Sequence, residues 1–183
     1  MSKIEITPTA HDFESYYAAA KLVTDGKKDE TRIYALHLYS DGTDLYSTNT
    51  RALVKIMQTH HPRGFYRVLQ ATRKGVIALL DESLDDREYP DTENLTDLTD
   101  YKSKSFQLSE DTDLDALQLS AFKLTGCAVR QSLLKRFDRV FRFSTDMFYR
   151  QDANYGPLKF VQGDTVVVVM GFYLGGAWDN WGE

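Results

Sequence analysis

The chain has 183 residues and a mass of 21.0 kDa, and its 42% hydrophobic and 27% charged residues are typical of a globular protein rather than a disordered one. No apolar run approaches the roughly 20 residues that a membrane helix needs, and the first ten residues lack the apolar core of a signal peptide. Cys127 is the only cysteine, which excludes an internal disulfide and favours a cytoplasmic protein.

The first half of the chain predicts a short strand, a helix and then several more strands. The helix is predicted at residues 11–24, because five residues share one helical face: Phe13, Tyr16, Tyr17, Ala20 and Val23. The strands are predicted from apolar–polar alternation and from turn residues, at 3–7, at 32–40, once or twice within 44–57, and as a hairpin over 64–81.

The second half predicts the same order of elements after an intervening segment. Its elements are a short strand at 116–120, a helix at 121–137, and strands at 138–144, 157–161 and 165–173. Two strand–helix–strands units of similar length indicate an internal repeat. We therefore predict an α+β fold in which antiparallel sheets carry two helices on one face.

Charge is distributed unevenly along the chain. Residues 81–115 contain thirteen acidic and three basic residues, a net charge of −10, whereas the whole chain carries −5. A solvated acidic loop is the simpler interpretation, and a partner-binding acidic surface is the alternative. We expect one domain over residues 1–174 with an acidic insertion at about 81–115, followed by a C-terminal tail of residues 175–183.

Several stretches of the sequence resemble the bacterial beta sliding clamp, the processivity factor of DNA polymerase. Residues 119–144 (LSAFKLTGCAVRQSLLKRFDRVFRFS) are similar to the last helix of a clamp and the strand after it. Residues 157–160 (PLKF) and 166–174 (VVVVMGFYL) are similar to its closing strands. Residues 89–91 (Tyr-Pro-Asp) resemble the aromatic-Pro-Asp turn between clamp domains.

The resemblance implies an apolar groove for short peptides at the end of the last strand. Met170 and Phe172 fall on the two methionine positions of the clamp's Met-Pro-Met-like ending, Leu174 falls on its final leucine, and Gly171 replaces the proline. These three apolar residues are therefore the candidate groove residues.

The resemblance also implies a function. Clamps are DNA replication processivity factors that bind DNA regardless of its sequence, bind DNA polymerase or other replication proteins, assemble as homo-oligomers, and use neither catalysis nor a cofactor. A bacterial clamp subunit has three such domains, whereas this chain has room for one. We therefore expect a diverged or reduced relative, of a size that would suit a phage or prophage.

A ring around DNA needs cations on its inner wall, because lysine and arginine compensate phosphates without reading sequence. The candidate DNA-binding residues are Lys123, Arg130, Lys135 and Arg136 in the second predicted helix, and Lys21, Lys27 and Lys28 on and after the first. On a helical wheel they do not form one stripe, so a solvated basic helix without function is the alternative.

Two tryptophans, Trp178 and Trp181, follow the Gly175-Gly176 pair in the acidic tail. As aromatic anchors on a hinge they would fill the groove of this molecule or of a neighbour. Local packing against the edge of the core is an equal alternative.

Two other functions are weighed against a clamp. Pro90-Asp91 and Asp100-Tyr101-Lys102 match the PD…DxK pattern of metal-dependent nucleases, in which two carboxylates hold the metal, but the residues between them do not resemble a buried strand. Residues 118–122 (QLSAF) resemble the peptide that clients insert into clamps, as an adaptor or decoy for a host clamp would. His60-His61 lacks a third ligand at a suitable spacing, so we predict surface histidines and no metal.

Overall fold

The computed structural model describes residues 2–24, 31–99, 101–107, 114–125, 128–129, 131–137, 139–140, 144–149 and 157–171. Its elements in chain order are β1 (Lys3–Ile6), α1 (Phe13–Thr24), a 3-10 helix (Ile33–Ala35), β2 (Leu38–Ser40), β3 (Leu45–Thr48), β4 (Ala52–Ile56), β5 (Gly64–Thr72), β6 (Gly75–Leu80), a 3-10 helix (Glu82–Leu84), α2 (Glu93–Thr96), β7 (Lys102–Gln107), α3 (Leu114–Thr125), α4 (Gln131–Leu134), β8 (Ser144–Tyr149), β9 (Leu158–Gln162) and β10 (Thr165–Val169). No helix in these ranges is long and apolar enough to cross a membrane.

The strands of the described chain form one antiparallel sheet. Their order across it is β1-β6-β5-β2-β3-β4-β10-β9-β8-β7. The two halves meet where β4 pairs with β10, in a register that places Val54 opposite Val167. β1 and β7 are the two edge strands.

The helices cover one face of this sheet, which buries the main core. On α1 the residues Phe13, Tyr16, Ala20 and Val23 are buried as the helical period predicts. The same apolar cluster continues through both halves of the sheet and includes Leu117 and Ala121 on α3, Phe160 on β9 and Val167 on β10. The predicted α+β fold with two helices on one antiparallel face is therefore confirmed.

The last strand is buried on both faces. Val167 and Val169 belong to the helix-side core, whereas Val166 and Val168 pack with Leu53 on the opposite face, which we call the outer face. Because alternate side chains of a strand point to opposite faces, a run of valines fits a strand that is covered on both sides.

Three predicted elements of the second half are wrong. Residues 116–120 lie inside α3, where Leu117 and Ala121 meet the core one helical turn apart. The strand that opens this half is β7, within the acidic segment, where it pairs with β8. The helix expected at 121–137 is divided into α3 and α4, and β8 begins only at Ser144, after a turn at residues 139–140.

In the first half, the strand expected at 32–40 is shorter than predicted. A 3-10 helix occupies Ile33–Ala35, and β2 begins at Leu38. The turn after it forms as expected, because the Asp41 carboxylate accepts hydrogen bonds from the backbone amides of Thr43 and Asp44.

Candidate nucleic-acid interface and apolar groove

The helix side of the sheet carries part of the predicted basic set. Lys21 lies in the last turn of α1 and Lys123 in the last turn of α3, where a cation also complements the helix dipole. Lys123 and Lys135 are exposed, and Lys21 and Arg136 are half-buried. The other predicted DNA-binding residues, Lys27, Lys28 and Arg130, lie outside the described residues.

A carboxylate on α1 joins cations from both halves on this side. Glu14 Oε2 lies 2.7 Å from Arg73 Nη1, and its Oε1 lies 3.6 Å from Arg139 Nη1. The Arg73 guanidinium also lies over the Tyr17 ring, 4.2 Å from its centroid. The sequence placed Arg73 at a hairpin turn without a role, because its contact with α1 is tertiary and leaves no local signal. We call the exposed surface of α1, α3, α4 with Lys135, and this cluster the helical face.

An apolar groove lies on the outer face beside the end of β10. It is a cavity of about 230 Å³ whose floor includes Thr48, Leu53 and Val168, which are paired across β3, β4 and β10. The acidic segment forms the side of the cavity opposite this floor, through Tyr89, Pro90 and Leu95, and Met170 lies at the end of the cavity. We call these seven residues the apolar groove.

Met170 is the one predicted groove residue that the described chain includes. Its side chain is 42% exposed, and its backbone amide donates a hydrogen bond to the Arg51 carbonyl at 2.9 Å, so it continues alongside β4. Phe172 and Leu174, and the tail residues Trp178 and Trp181, lie outside the described residues. Leu95, which is 38% exposed, is not among the predicted groove residues, because the charge of the segment around it favours a solvated loop.

A second cavity adjoins the apolar groove on the outer face. Its volume is about 390 Å³. We call it the acidic cavity. The residues that line it but not the apolar groove are Tyr39, Asp41, Asp44, Tyr46, Lys55 and Glu93. Residues 89–92 line both cavities and form the wall between them.

Tyr89 anchors that wall in a cluster of aromatic rings. Its ring stacks on Tyr39, with centroids 4.7 Å apart and planes 4° apart, and it contacts the rings of Tyr34, Tyr46 and Phe65. Burial raises the pKa of Tyr89, so the phenol stays protonated. Its buried oxygen has no hydrogen-bond partner in the described part of the chain.

The two adjacent histidines differ in their surroundings. His61 is half-buried and its Nε2 lies 2.7 Å from the Tyr16 hydroxyl, whereas His60 is exposed. Burial lowers the pKa of His61, although the charge of Asp12 opposes this. The prediction of surface histidines therefore holds for His60 and fails for His61. The described residues include no group of three or more potential metal ligands.

The described chain does not show the geometry that a metal-dependent nuclease or a clamp-client peptide requires. Asp91 is exposed on a loop, where its Oδ1 accepts a hydrogen bond from the Glu93 amide, instead of ending a buried strand; Asp100 lies outside the described residues. Gln118 and Phe122 belong to α3, with Ala121 buried between them, so this stretch is not an extended, accessible peptide.

No family model and no curated protein matches this chain. Among solved structures, it resembles a protein from Eubacterium rectale assigned as a DNA polymerase III beta subunit, with a TM-score of 0.58 and 8% identity over 94% of this chain and 66% of that one. The Helicobacter pylori beta clamp bound to a DNA ligase peptide gives a TM-score of 0.56 and 9% identity, again over 94% and 66%. The Borrelia burgdorferi beta subunit gives 0.53 and 11%, over 96% and 65%.

These similarities concern the fold. The matches cover nearly all of this chain but less than two thirds of the length of each clamp. Identities of 8% to 11% are too low to carry a function from one protein to another. The chain is therefore a diverged domain with the fold of the bacterial DNA polymerase III beta sliding clamp.

Proposed function

We propose that this protein is a sliding-clamp-like DNA replication factor that binds DNA through its helical face and replication proteins through the apolar groove. The observation that carries the proposal is the difference between the two faces of the sheet. The helix side presents Lys21, Lys123 and Lys135, whereas the outer side presents an apolar cavity that ends at Met170. Each face has the chemistry that one of the two partners requires.

The helical face fits contact with phosphates of any sequence. Its exposed cations have long, flexible side chains that can reach phosphates. They lie on several helices and turns, which could not enter a groove of DNA together to contact the base edges. Glu14 offsets part of this charge, so the association would be weak for a single copy and strongly dependent on salt.

The apolar groove fits a short peptide with a large apolar side chain. Leu53 and Val168 form a floor that is buried within the protein, and Leu95 and Met170 leave apolar surface exposed at its border. A buried apolar anchor contributes most of the binding free energy in many peptide interfaces. The ligase peptide bound to the Helicobacter pylori clamp supports the assignment of a peptide to this chain as well.

Assembly into a homo-oligomer would complete the function. In the described chain β1 and β7 are edge strands, and an edge strand is where the sheet of another copy can be added. Several copies would together surround DNA that one copy could only touch. No catalytic step and no cofactor belong to this proposal.

Salt-dependent DNA binding tests the proposal. Fluorescence anisotropy with random-sequence duplex DNA, together with mass measurement in solution, should show a defined multimer that binds DNA at low ionic strength. Replacing Lys123 and Lys135 with glutamine should lower the slope of log affinity against log salt by about two, since each phosphate contact contributes about one. The matched control replaces Arg51 and Arg87, two exposed cations in loops outside the helices, and should leave the slope unchanged. A multimer without salt-sensitive DNA binding would overturn the proposal.

A further inference from the structure

The apolar groove and the acidic cavity lie side by side on the outer face, with residues 89–92 between them. The groove floor includes Thr48 on β3 and Leu53 on β4, and the acidic cavity floor includes Tyr46 and Lys55 on the same two strands. The two floors are thus two residues apart along each strand, or about 7 Å. This is also the distance between alternate side chains of an extended peptide, so a peptide that crosses residues 89–92 would place one side chain in each cavity.

The acidic cavity has a strong excess of negative charge. Among the described residues, its lining includes four carboxylates, those of Asp41, Asp44, Asp91 and Glu93, and one cation, that of Lys55. That cation is already paired, because Lys55 Nζ lies 2.9 Å from Asp44 Oδ2. Burial pushes the pKa of Asp41 upward, but hydrogen bonds from Asp44, Thr43 and Tyr46 hold it below its ordinary value, so this carboxylate stays charged.

Aromatic rings complete the cavity. Tyr39, Tyr46 and Tyr89 contribute their rings, and Lys55 shows that a cation is accommodated there, since its ammonium lies 5.4 Å from the centroid of the Tyr46 ring. The faces of tyrosine rings attract ammonium and guanidinium groups.

Other occupants fit this chemistry less well. DNA phosphates would be repelled by the carboxylates. The chain's own residues 172–183 include two acidic residues and no lysine or arginine, so charge opposes their binding beside Glu93. A peptide with one apolar and one basic side chain complements both cavities at once.

We propose that the acidic cavity selects client peptides that carry a lysine or arginine two or three residues from the apolar side chain held in the groove. This inference rests on the peptide-binding part of the proposed function and adds a specificity to it. The partner is thus a replication protein with a short, exposed segment that is both apolar and basic.

Labelled peptides binding to the full chain test the inference. The parent probe is QLSAF, the clamp-client pattern, and its extensions are QLSAFGK and KGQLSAF, each paired with a version that has glutamine in place of lysine. At about 0.05 M salt the Debye length exceeds about 10 Å. Under these conditions at least one of the two lysine peptides should bind about fivefold more tightly than the same peptide with glutamine in place of lysine. At about 0.5 M salt the preference should fall toward one, because screening removes it.

Charge variants locate the preference. Glu93→Lys should abolish it, whereas Asp86→Lys, an exposed acid of the same segment that lines neither cavity, should keep it. Equal binding of lysine and glutamine peptides, with parent binding weakened by Met170→Asp, would overturn this inference and leave the proposed function intact. If the parent peptide does not bind, or binds independently of Met170, the peptide-binding function fails and the inference fails with it.

Two further outcomes would assign the cavity to another occupant. If truncation after Leu174 abolishes the lysine preference, the tail forms part of the site and the inference is overturned. If Glu93→Lys changes the mass of the protein in solution, the cavity is a contact between copies, which also overturns it.

Discussion

Among the described residues, Glu14 contacts both Arg73 and Arg139 on the helical face, and its removal should strengthen DNA binding. It lies 2.7 Å from Arg73 and 3.6 Å from Arg139, so it offsets cations contributed by both halves of the chain. Glu14→Gln keeps the shape of the side chain and a hydrogen-bond acceptor but removes the charge. The arginines would then compensate phosphates instead of this carboxylate.

The geometry sets the size of the effect. The side chains of Glu14, Arg73 and Arg139 are each about a third to a half exposed, so solvent screens both pairs. Exposed pairs contribute about 0.2–1 kcal/mol each, and the two pairs together correspond to about a two- to thirtyfold gain in DNA affinity at low salt. The slope of log affinity against log salt should steepen by about one to two, because up to two arginines gain phosphate contacts. The free energy of unfolding should fall by no more than about 2 kcal/mol.

Anisotropy titrations over a series of salt concentrations measure both quantities, with thermal unfolding as the check on folding. The matched control is Glu5→Gln, which makes the same charge change at an exposed position of β1 next to the inward-facing Ile4, and therefore on the outer side. The control should leave DNA affinity nearly unchanged. If Glu14→Gln folds normally and binds DNA with the affinity and salt slope of the original protein, the helical face is not the DNA interface.

Three further predictions test other parts of the molecule. Burial lowers the pKa of His61, so as the pH falls this side chain is protonated in the unfolded state before it is protonated in the folded state. The free energy of unfolding should therefore be at its full value above about pH 6.5 and should fall as the pH drops below it. Measured by denaturant unfolding, this pH dependence should disappear in His61→Asn and remain in His60→Asn. Asp91→Asn should leave duplex DNA as intact as the unmodified protein does with magnesium or manganese present, and metal-dependent cleavage that this change abolishes would establish a nuclease. Truncation after Leu174 should preserve the thermal transition while raising peptide affinity or changing the multimer, if the tail competes for a groove; collapse of the transition would place its tryptophans in the core.

Periodic apolar patterns predicted the parts of the fold that local sequence determines. α1 and the hairpin of β5 and β6 form where expected, because their apolar positions repeat at the helical and strand periods and their turns carry suitable residues. β7 was missed, since its sequence KSKSFQ has no apolar face until its end and its pairing with β8 is a long-range contact. The sequence predicts a strand at 116–120, which lies in α3, because five residues are too few to distinguish strand alternation from a helical period.

The candidate sites were predictable to a smaller extent. Met170 was placed by resemblance at the end of a strand, and the structure puts it at the border of a cavity. Leu95 and Arg73 were not, because what brings them to these surfaces is tertiary packing. Sequence periods show which residues share a face of one helix or strand, but not which residues of different elements meet on one surface.

The acidic segment shows most clearly why composition alone misleads. Its charge predicts a solvated loop, yet Tyr89 is stacked on Tyr39, and farther along the segment the buried ammonium of Lys159 donates to the Asp97 carbonyl. Lys159 also lies 3.8 Å from the centroid of the Tyr101 ring. Both attachments are on the outer face, so the segment between them is held against the sheet as a wall of the apolar groove. Its uncompensated carboxylates then remain exposed beside that groove, where they can act on a ligand without a cost of burial. The negative charge of the acidic segment favours a solvated loop when the sequence is considered alone, and in the folded protein it gives the outer face its proposed preference for basic clients.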